Sequence, residues 1–301
     1  MSNSTLLVTG ASGHLGGTVI RHLLDTLGIA PHRVIATTRK PAELAALAAR
    51  GVTVRAADFD DAAGLVTAFR GADRLLLIST DRLDVPGIRL KQHQTAIAAA
   101  VEAGVGHVVY TSMPKADRSL VAFAPDHAGT EAALAASRLQ AWTVLRNHWY
   151  FENLFHSMPA IIASGKWFSA AGSGKVADIA RSDLARAAAA ALASDAAGKS
   201  TYTLSGPQAL TAPEIAAIVS RAVGKPIEVV PVSNDDLIKG MIAHGLPDPI
   251  ARVFATFDAN AAAGQFGDVT GDYRKLTGAD PQPFAAWVDA NRAALVGKGA
   301  A

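Results

Sequence analysis

Glycines at positions 10, 13 and 16 directly follow the apolar run Leu6-Leu7-Val8, and an amphipathic stretch from Thr18 to Leu27 comes after them. A strand, a glycine turn and a helix start in succession expose main-chain N–H groups and the positive end of a helix. That arrangement takes an anionic group, usually a pyrophosphate. The spacing G-x-x-G-x-x-G differs from G-x-G-x-x-G but sets the same tasks: a tight turn, close approach of main chain to phosphate, and close helix–strand packing. Gly10, Gly13 and Gly16 also suit a βα turn of an unrelated α/β protein, because glycine serves wherever a turn needs φ > 0.

Arg39 and Lys40 end the next predicted strand, at the place where NAD-selecting proteins tend to carry an acid for the ribose 2′-OH. An acid there repels the 2′-phosphate of NADP, whereas a guanidinium binds it through a charge-assisted fork. Taken with the glycine turn, Arg39 points to NADP(H); alone, the pair reads as two surface cations. Asp58 and Phe59 after the third strand can hydrogen-bond and flank an adenine, or equally cap a helix beside a core phenylalanine. Ile78, Ser79 and Thr80 close the fourth strand, where small polar residues let main chain pass close to a cofactor ribose.

Ordinary ketone reduction by short-chain dehydrogenases uses a tyrosine four residues before a lysine, which lowers the phenol's pKa. No tyrosine satisfies that spacing: Tyr110 and Lys115 are five apart, and Leu154 stands four residues after Tyr150. His127 and Glu131 share a helix face but have no third ligand nearby to make a metal site, so they read as a helix-face pair or an acceptor contact. Trp149 and Tyr150 either line an aromatic acceptor site or pack a seam.

The elements that must position these groups alternate. Strands are predicted at Leu6–Val8, Arg33–Thr38, Val52–Ala56, Arg74–Ile78, His107–Thr111 and Trp142–Leu145. Between them lie helices over Thr18–Leu27, Glu43–Arg50, a short one capped by Asp60 or Asp61 and ending at Phe69, Ile88–Ala103 and His127–Ser137. This rhythm means right-handed βαβ units on a parallel sheet, an α/β Rossmann-type doubly wound fold with the dinucleotide at the carboxyl edge. Residues 1–150 are read as the NADP(H)-binding domain. Residues 151–301 are read as a smaller, mostly helical α+β substrate-side region interleaved with the sheet. There the expectations are a helix over Phe151–Ala163, a loop over Gly165–Gly174, a serine-capped helix over Ser182–Ala193 and a strand at Thr201–Leu204. A helix opened by the capping box Thr211-Ala212-Pro213-Glu214 follows, then a strand at Ile227–Val232. Helices over Ser233–His244 and Asp248–Ala263, and a last one over Phe284–Leu295, complete it.

The 301 residues are half hydrophobic and 18% charged, with a net charge of +2 and no block of like charges, so the chain is globular and carries no nucleic-acid or membrane-surface footprint. It has no cysteine, which excludes disulfides and cysteine metal sites. With no signal peptide expected before the first strand and no membrane-length apolar run, the chain reads as cytoplasmic.

Thr9-Gly10-Ala11-Ser12-Gly13-His14-Leu15-Gly16, Thr37-Thr38-Arg39, Tyr110-Thr111-Ser112 and above all Leu145-Arg146-Asn147-His148-Trp149-Tyr150-Phe151-Glu152-Asn153 resemble the NmrA-like branch of atypical short-chain dehydrogenases. Within that branch the similarity is to bacterial type-2 quinone reductases and triphenylmethane reductases. It runs over nearly the whole chain, including Thr201-Tyr202-Thr203-Leu204-Ser205-Gly206 and Gly245-Leu246-Pro247. The resemblance implies an NADPH cleft lined by Thr9, Ser12, His14 and Leu15 with the glycines, by Arg39, and by Tyr110, Thr111, Ser112, Asn147, His148, Trp149 and Tyr150. Asn147 and Tyr150 would frame the reacting face. It implies hydride transfer to a quinone without a tyrosine–lysine acid, since a reduced quinone is a delocalised phenolate that takes its proton from water. Such a site mainly holds two rings face to face. Alternatives are another activated aromatic acceptor, such as a triarylmethane dye, or a non-enzymatic NADP(H)-binding redox sensor. Oligomeric state is open, a homodimer included. Two positions depart from the quinone reductases' pattern: Ala132 stands where lysine is expected and His148 where glycine is expected.

Overall fold

The computed structural model describes residues 3–297. Its strands are β1 (Leu6–Val8), β2 (Val34–Thr38), β3 (Thr53–Ala56), β4 (Arg74–Leu77), β5 (His107–Ser112), β6 (Ala141–Asn147), β7 (Lys166–Ser169), β8 (Lys175–Val176), β9 (Lys199–Leu204), β10 (Leu210–Thr211) and β11 (Glu228–Pro231). Its α-helices are α1 (His14–Arg21), α2 (Ala45–Ala49), α3 (Ala62–Phe69), α4 (Ile88–Glu102), α5 (Ala124–Ala136), α6 (Met158–Ser164), α7 (Arg181–Ala193), α8 (Ala212–Val223), α9 (Asn234–Ala243), α10 (Asp248–Ala262), α11 (Asp272–Thr277), α12 (Phe284–Ala290) and α13 (Arg292–Leu295).

Seven strands form one parallel sheet in the order β3-β2-β1-β4-β5-β6-β9. This is the Rossmann-type doubly wound α/β fold, and its strand order reverses between β1 and β4. Strand residues alternate faces. Leu6 and Val8 therefore join Val19 and Ile20 of α1 and Leu184 and Ala188 of α7 on one side. Leu7 joins Leu65 and Phe69 of α3, Ile97 of α4 and Leu134 of α5 on the other. The alanines of α7 matter here, because their small side chains let this helix lie close to α1 and the sheet. The chain thus returns from its second half to complete the sheet, β9 pairing in register with β6 from Trp142↔Lys199 to Asn147↔Leu204. Arg74, at the start of β4, fastens the far end of α7. Its Nε donates to the Leu192 carbonyl at 2.8 Å, Nη1 to Ala196 O at 3.1 Å and Nη2 to Ala191 O at 3.2 Å.

A separate core, with Phe151, Met158, Ile215, Phe284, Trp287 and Val288, holds the C-terminal elements together. Two small sheets accompany it: β7 with β11, parallel, and β8 with β10, antiparallel. The capping box at Thr211 forms, with Glu214 returning to the Thr211 N–H at 2.8 Å, and Asp61 rather than Asp60 caps α3.

Several local expectations are corrected. The first helix begins at His14 and ends at Arg21, followed by a π turn over His22–Thr26; the glycine turn itself is the helix start. The stretch 165–174 contains a strand, β7, whose short alternation Lys166-Trp167-Phe168-Ser169 is hidden between glycines and serines. Residues from Phe151 form a 3-10 turn to His156 before α6 starts again at Met158, next to Pro159. The α7 helix begins at Arg181, one residue before the expected serine cap. Its N-cap Ala180 offers no side chain, and the Glu152 carboxylate takes the Arg181 N–H instead, at 2.9 Å. The last helix breaks at Asn291, whose side-chain amide donates to the Trp287 carbonyl at 2.8 Å. The short α11 was not expected.

Candidate active site

The glycine turn lies at the carboxyl end of β1. Gly10 holds φ +60°, and its carbonyl accepts the Gly13 N–H at 3.0 Å. A Cβ on Gly16 would stand 2.4 Å from the Gly10 oxygen, so only glycine lets α1 begin so close to the strand. Ala11 N–H donates to Thr37 O at 2.9 Å, and Ser12 Oγ meets Thr38 Oγ1 at 2.9 Å, tying the turn to β2. Gly13 is the N-cap of α1 and brings no side-chain acceptor, and the first turn contains no acid. The leading N–H groups and the positive helix end are therefore left for an anion, as a pyrophosphate requires.

Arg39 is exposed at the end of β2 and has no ion pair or hydrogen bond among the described residues, whereas Lys40 pairs with Glu43 at 3.6 Å. Asp58 is exposed, and its Oδ1 accepts the Asp60 N–H at 3.0 Å; Phe59 packs against the sheet core. Beside the turn a depression of about 770 Å³ is lined by Ser12, Gly13, His14, Arg21, Glu152 and Arg181, among others. Exposed His14 reaches it.

Three expected contacts are corrected. Tyr110 is wholly buried on the opposite face of β5 and cannot reach the cleft. The Leu15 side chain belongs to the core, leaving only its main chain for a ligand. The Thr9 hydroxyl is bound inside the sheet, donating to Leu76 O at 3.0 Å and accepting from Ile78 N at 2.9 Å. These bonds shape the end of β4. Ser79 N–H donates to Thr111 Oγ1 at 2.9 Å, and Thr80 N–H donates to His93 Nε2 at 3.0 Å.

His93 and the groups behind it form a buried polar core with fixed proton positions. Because Nε2 accepts from Thr80, Nδ1 carries the hydrogen and donates to Thr130 Oγ1 at 2.9 Å, which in turn donates to Asp126 O at 2.6 Å. Arg89 Nη2 donates to His127 Nε2 at 3.0 Å, so His127 Nδ1 donates to the Tyr110 hydroxyl at 2.8 Å. Burial, reinforced by the Arg89 charge, lowers His93 to a pKa of about 3 and holds His127 well below its usual value; both are neutral. Burial likewise raises the Tyr110 phenol.

Ser112 and Arg146 meet on Glu131. The Ser112 hydroxyl donates to Oε1 at 2.6 Å, and Arg146 makes a bidentate pair at 3.0 and 2.6 Å. His127 and Glu131, neighbours on α5, thus serve different partners. The expected strand at Trp142–Leu145 runs on to Asn147, which brings Arg146 and Asn147 into the sheet. Asn147 is buried, its Oδ1 lacks a partner, and its side chain lies against the Tyr150 phenol. Burial raises Tyr150, with the Arg181 guanidinium, 5.2 Å above its ring, working the other way. His148 is buried with both ring nitrogens unpartnered among the described residues and is lowered by burial to about 4. Trp149 packs between Phe123, Phe257 and Phe266, at 5.8, 4.9 and 5.3 Å.

Sequence reading missed Arg89, His93, Glu152 and Arg181. A signal existed for the first two. Arg89, Gln92 and His93 are spaced i, i+3, i+4, which puts a polar stripe on the face of α4 that must pack against the sheet.

The NmrA-like family model matches residues 2–276. The chain is 38% identical over 273 residues to quinone oxidoreductase 2 of Escherichia coli (strain K12), covering 91% of this chain and 93% of that protein. Among solved structures it is similar to the NADPH-dependent quinone oxidoreductase QOR2 of Escherichia coli complexed with NADPH, with a TM-score of 0.89, 38% identity and coverage of 94% and 98% of the two chains. It is also similar to the Citrobacter sp. triphenylmethane reductase complexed with NADP(H), with a TM-score of 0.88, 33% identity and coverage of 94% and 99%.

Proposed function

The chain belongs to the NmrA-like family, and from that premise we propose that it is an NADPH-dependent reductase that passes hydride to quinones. The observation that carries the reading is the cofactor end: a glycine turn that only glycine at 16 can build, an uncapped helix start, and Arg39, unpaired among the described residues, where a 2′-phosphate would lie. When bound, NADPH supplies the hydride. Gly10, Gly13 and Gly16 hold the pyrophosphate, and Arg39 distinguishes NADPH from NADH. The Ile78–Thr80 segment, Thr111 and the stretch from Asn147 to Tyr150 flank the ribose and nicotinamide. Residues 1–150 carry most of the cofactor site and 151–301 the acceptor side, with β9 and α7 returning to the sheet. Scattered charge and the cysteine-free sequence support a cytoplasmic protein acting on a small molecule, without nucleic-acid or membrane partners; among the described residues no helix is long and apolar enough to cross a membrane.

The polar groups near the reacting face fit an acceptor that needs no positioned acid. Tyr110 is sealed and hydrogen-bonded inward, and Lys115 is held by Asp268 at 2.8 Å. Tyr150 stays a neutral phenol and has no lysine beside it to lower its pKa. A quinone fits, because its reduced form takes a proton from water. A triarylmethane dye is the second reading, favoured by the similarity to the Citrobacter sp. triphenylmethane reductase.

Stopped-flow oxidation of bound NADPH against quinones, triarylmethane dyes and simple ketones tests this. Rapid reaction with quinones and none with ketones is expected. Rapid ketone turnover would overturn the proton argument, and tight NADPH binding without oxidation by any acceptor would make the protein a sensor.

A further inference from the structure

We propose that Arg89 receives the negative charge that appears on the acceptor as it takes hydride, and thereby tunes the protein toward acceptors that become anions. The proposal rests on the quinone-reductase reading above. Arg89 is the second residue of α4, one helical turn before His93, and its side chain is 7% exposed. A guanidinium keeps its charge at any working pH. Its hydrogen-bond partner among the described residues brings no opposite charge. His127 accepts from Nη2 but is itself neutral, and Nε is sealed from solvent with no hydrogen-bond acceptor. Asp126 Oδ2 forms a long ion pair with Nε at 3.9 Å, beyond hydrogen-bond distance. The remaining groups within its field are the phenols of Tyr110 and Tyr150, the neutral ring of His93 and the carboxylate of Asp81.

Location gives this charge a use. The guanidinium lies 4.7 Å from the Phe123 ring centroid, and Phe123 leads to Trp149. Its field also reaches Tyr150, beside the buried Asn147. Arg89 therefore lies between His127 of α5 and the aromatic group, one helical turn before the histidine that holds the Thr80 N–H. A buried cation with an unmet N–H costs stability unless something makes use of it, and a fixed donor aimed at developing charge is the commonest large catalytic effect.

The charge balance is explicit. Hydride carries two electrons and one hydrogen to a neutral quinone. The carbonyl π bond breaks, the ring becomes aromatic, and the product is a hydroquinone monoanion with NADP+; water then supplies the proton. A triarylmethyl cation instead becomes neutral, so Arg89 assists the first acceptor and opposes approach of the second.

The test compares wild type with Arg89→Met and Arg89→Lys, each checked for folding by near-ultraviolet circular dichroism and NADP+ affinity. With a neutral benzoquinone, Arg89→Met should lose about 100-fold or more in kcat and Arg89→Lys should recover part of it. With a triarylmethyl cation the change should be under about threefold, or a gain. A readout without turnover uses para-nitrophenol and the NADP+-loaded protein: visible absorbance should show wild type shifting the bound probe toward phenolate and Arg89→Met abolishing the shift. Equal losses for both acceptors, or no probe shift in wild type, would overturn the assignment. If Arg89→Met fails to fold, the wild-type probe spectrum and Arg89→Lys still decide it. Wild type that reduces no quinone would overturn the functional reading instead.

Discussion

Gly16 and Gly10 touch so closely that a methyl group on Gly16 would stand 2.4 Å from the Gly10 carbonyl oxygen. Relief requires either the turn or α1 to move, and both carry the main-chain groups proposed to hold the pyrophosphate. Gly16→Ala should therefore cost about 1–3 kcal/mol of stability and weaken NADPH binding about tenfold or more. Titration by quenching of intrinsic fluorescence, alongside urea melts, measures both; unchanged affinity would refute the role given to this contact.

Among the described residues Arg39 has no partner to lose. Arg39→Glu should raise the KM for NADPH by about 10–100-fold while moving that for NADH by less than about threefold, because only the 2′-phosphate meets the reversed charge. Folding should be unaffected. Equal effects on the two cofactors would remove Arg39 from the site.

Arg74 lies at the opposite end of the sheet and stabilises the fold. It satisfies carbonyls at the end of α7 and places positive charge at that helix's negative end. Arg74→Met should lower stability by about 2–4 kcal/mol, with NADPH affinity changed less than about threefold. A large affinity loss in a folded variant would show that β4 and α7 couple to the cleft.

Acid should unfold the protein early. Burial lowers His93 to about 3 and His107 and His148 to about 4. In the unfolded chain each takes up a proton near pH 6.5, while in the folded chain it does not. Their contribution is complete above that value and is lost as the pH falls toward the folded pKa. Asp178 acts in the opposite sense. Burial raises it to about 7, so its contribution is complete below its unfolded pKa and is lost as the pH rises through about 7. Histidines outnumber it, and stability should fall by about 2–5 kcal/mol between pH 6.5 and pH 4.5. Asp178→Asn should exceed wild type by about 1–3 kcal/mol near pH 8, with the difference closing near pH 4. Urea unfolding at several pH values checks both; a flat profile would contradict the buried neutral histidines.

The sheet was legible because each strand is a short apolar run beside a turn signal, and the glycine turn because its three glycines directly follow the first of those runs. Elements of the second half were harder to read. The β7 strand has only four residues among glycines and serines, and the first N–H of α7 donates to Glu152, twenty-nine residues away in sequence. Of the candidate site, Arg39 and the glycines followed from local chemistry. Tyr110 misled because its motif marks the end of β5 without saying which face each side chain takes, and a one-residue alternation puts it in the core with Thr111 facing away. Arg89 and His93 escaped because their partners, His127 and Thr80, come within reach only when α4 packs beside α5 on the sheet.

The pairing of β9 with β6 has a consequence for synthesis. A ribosome that has delivered residues 1–150 has made six of the sheet's seven strands, yet the outer edge of β6 still lacks the neighbour that arrives some fifty residues later. Until then Val144 and Leu145 lie beside an open row of N–H and C=O groups, an invitation to pair with another nascent chain. The apolar side of α1 is uncovered for the same interval, because α7 also comes late. A fragment ending at residue 150 would keep that edge and that face open and should aggregate where the full chain does not.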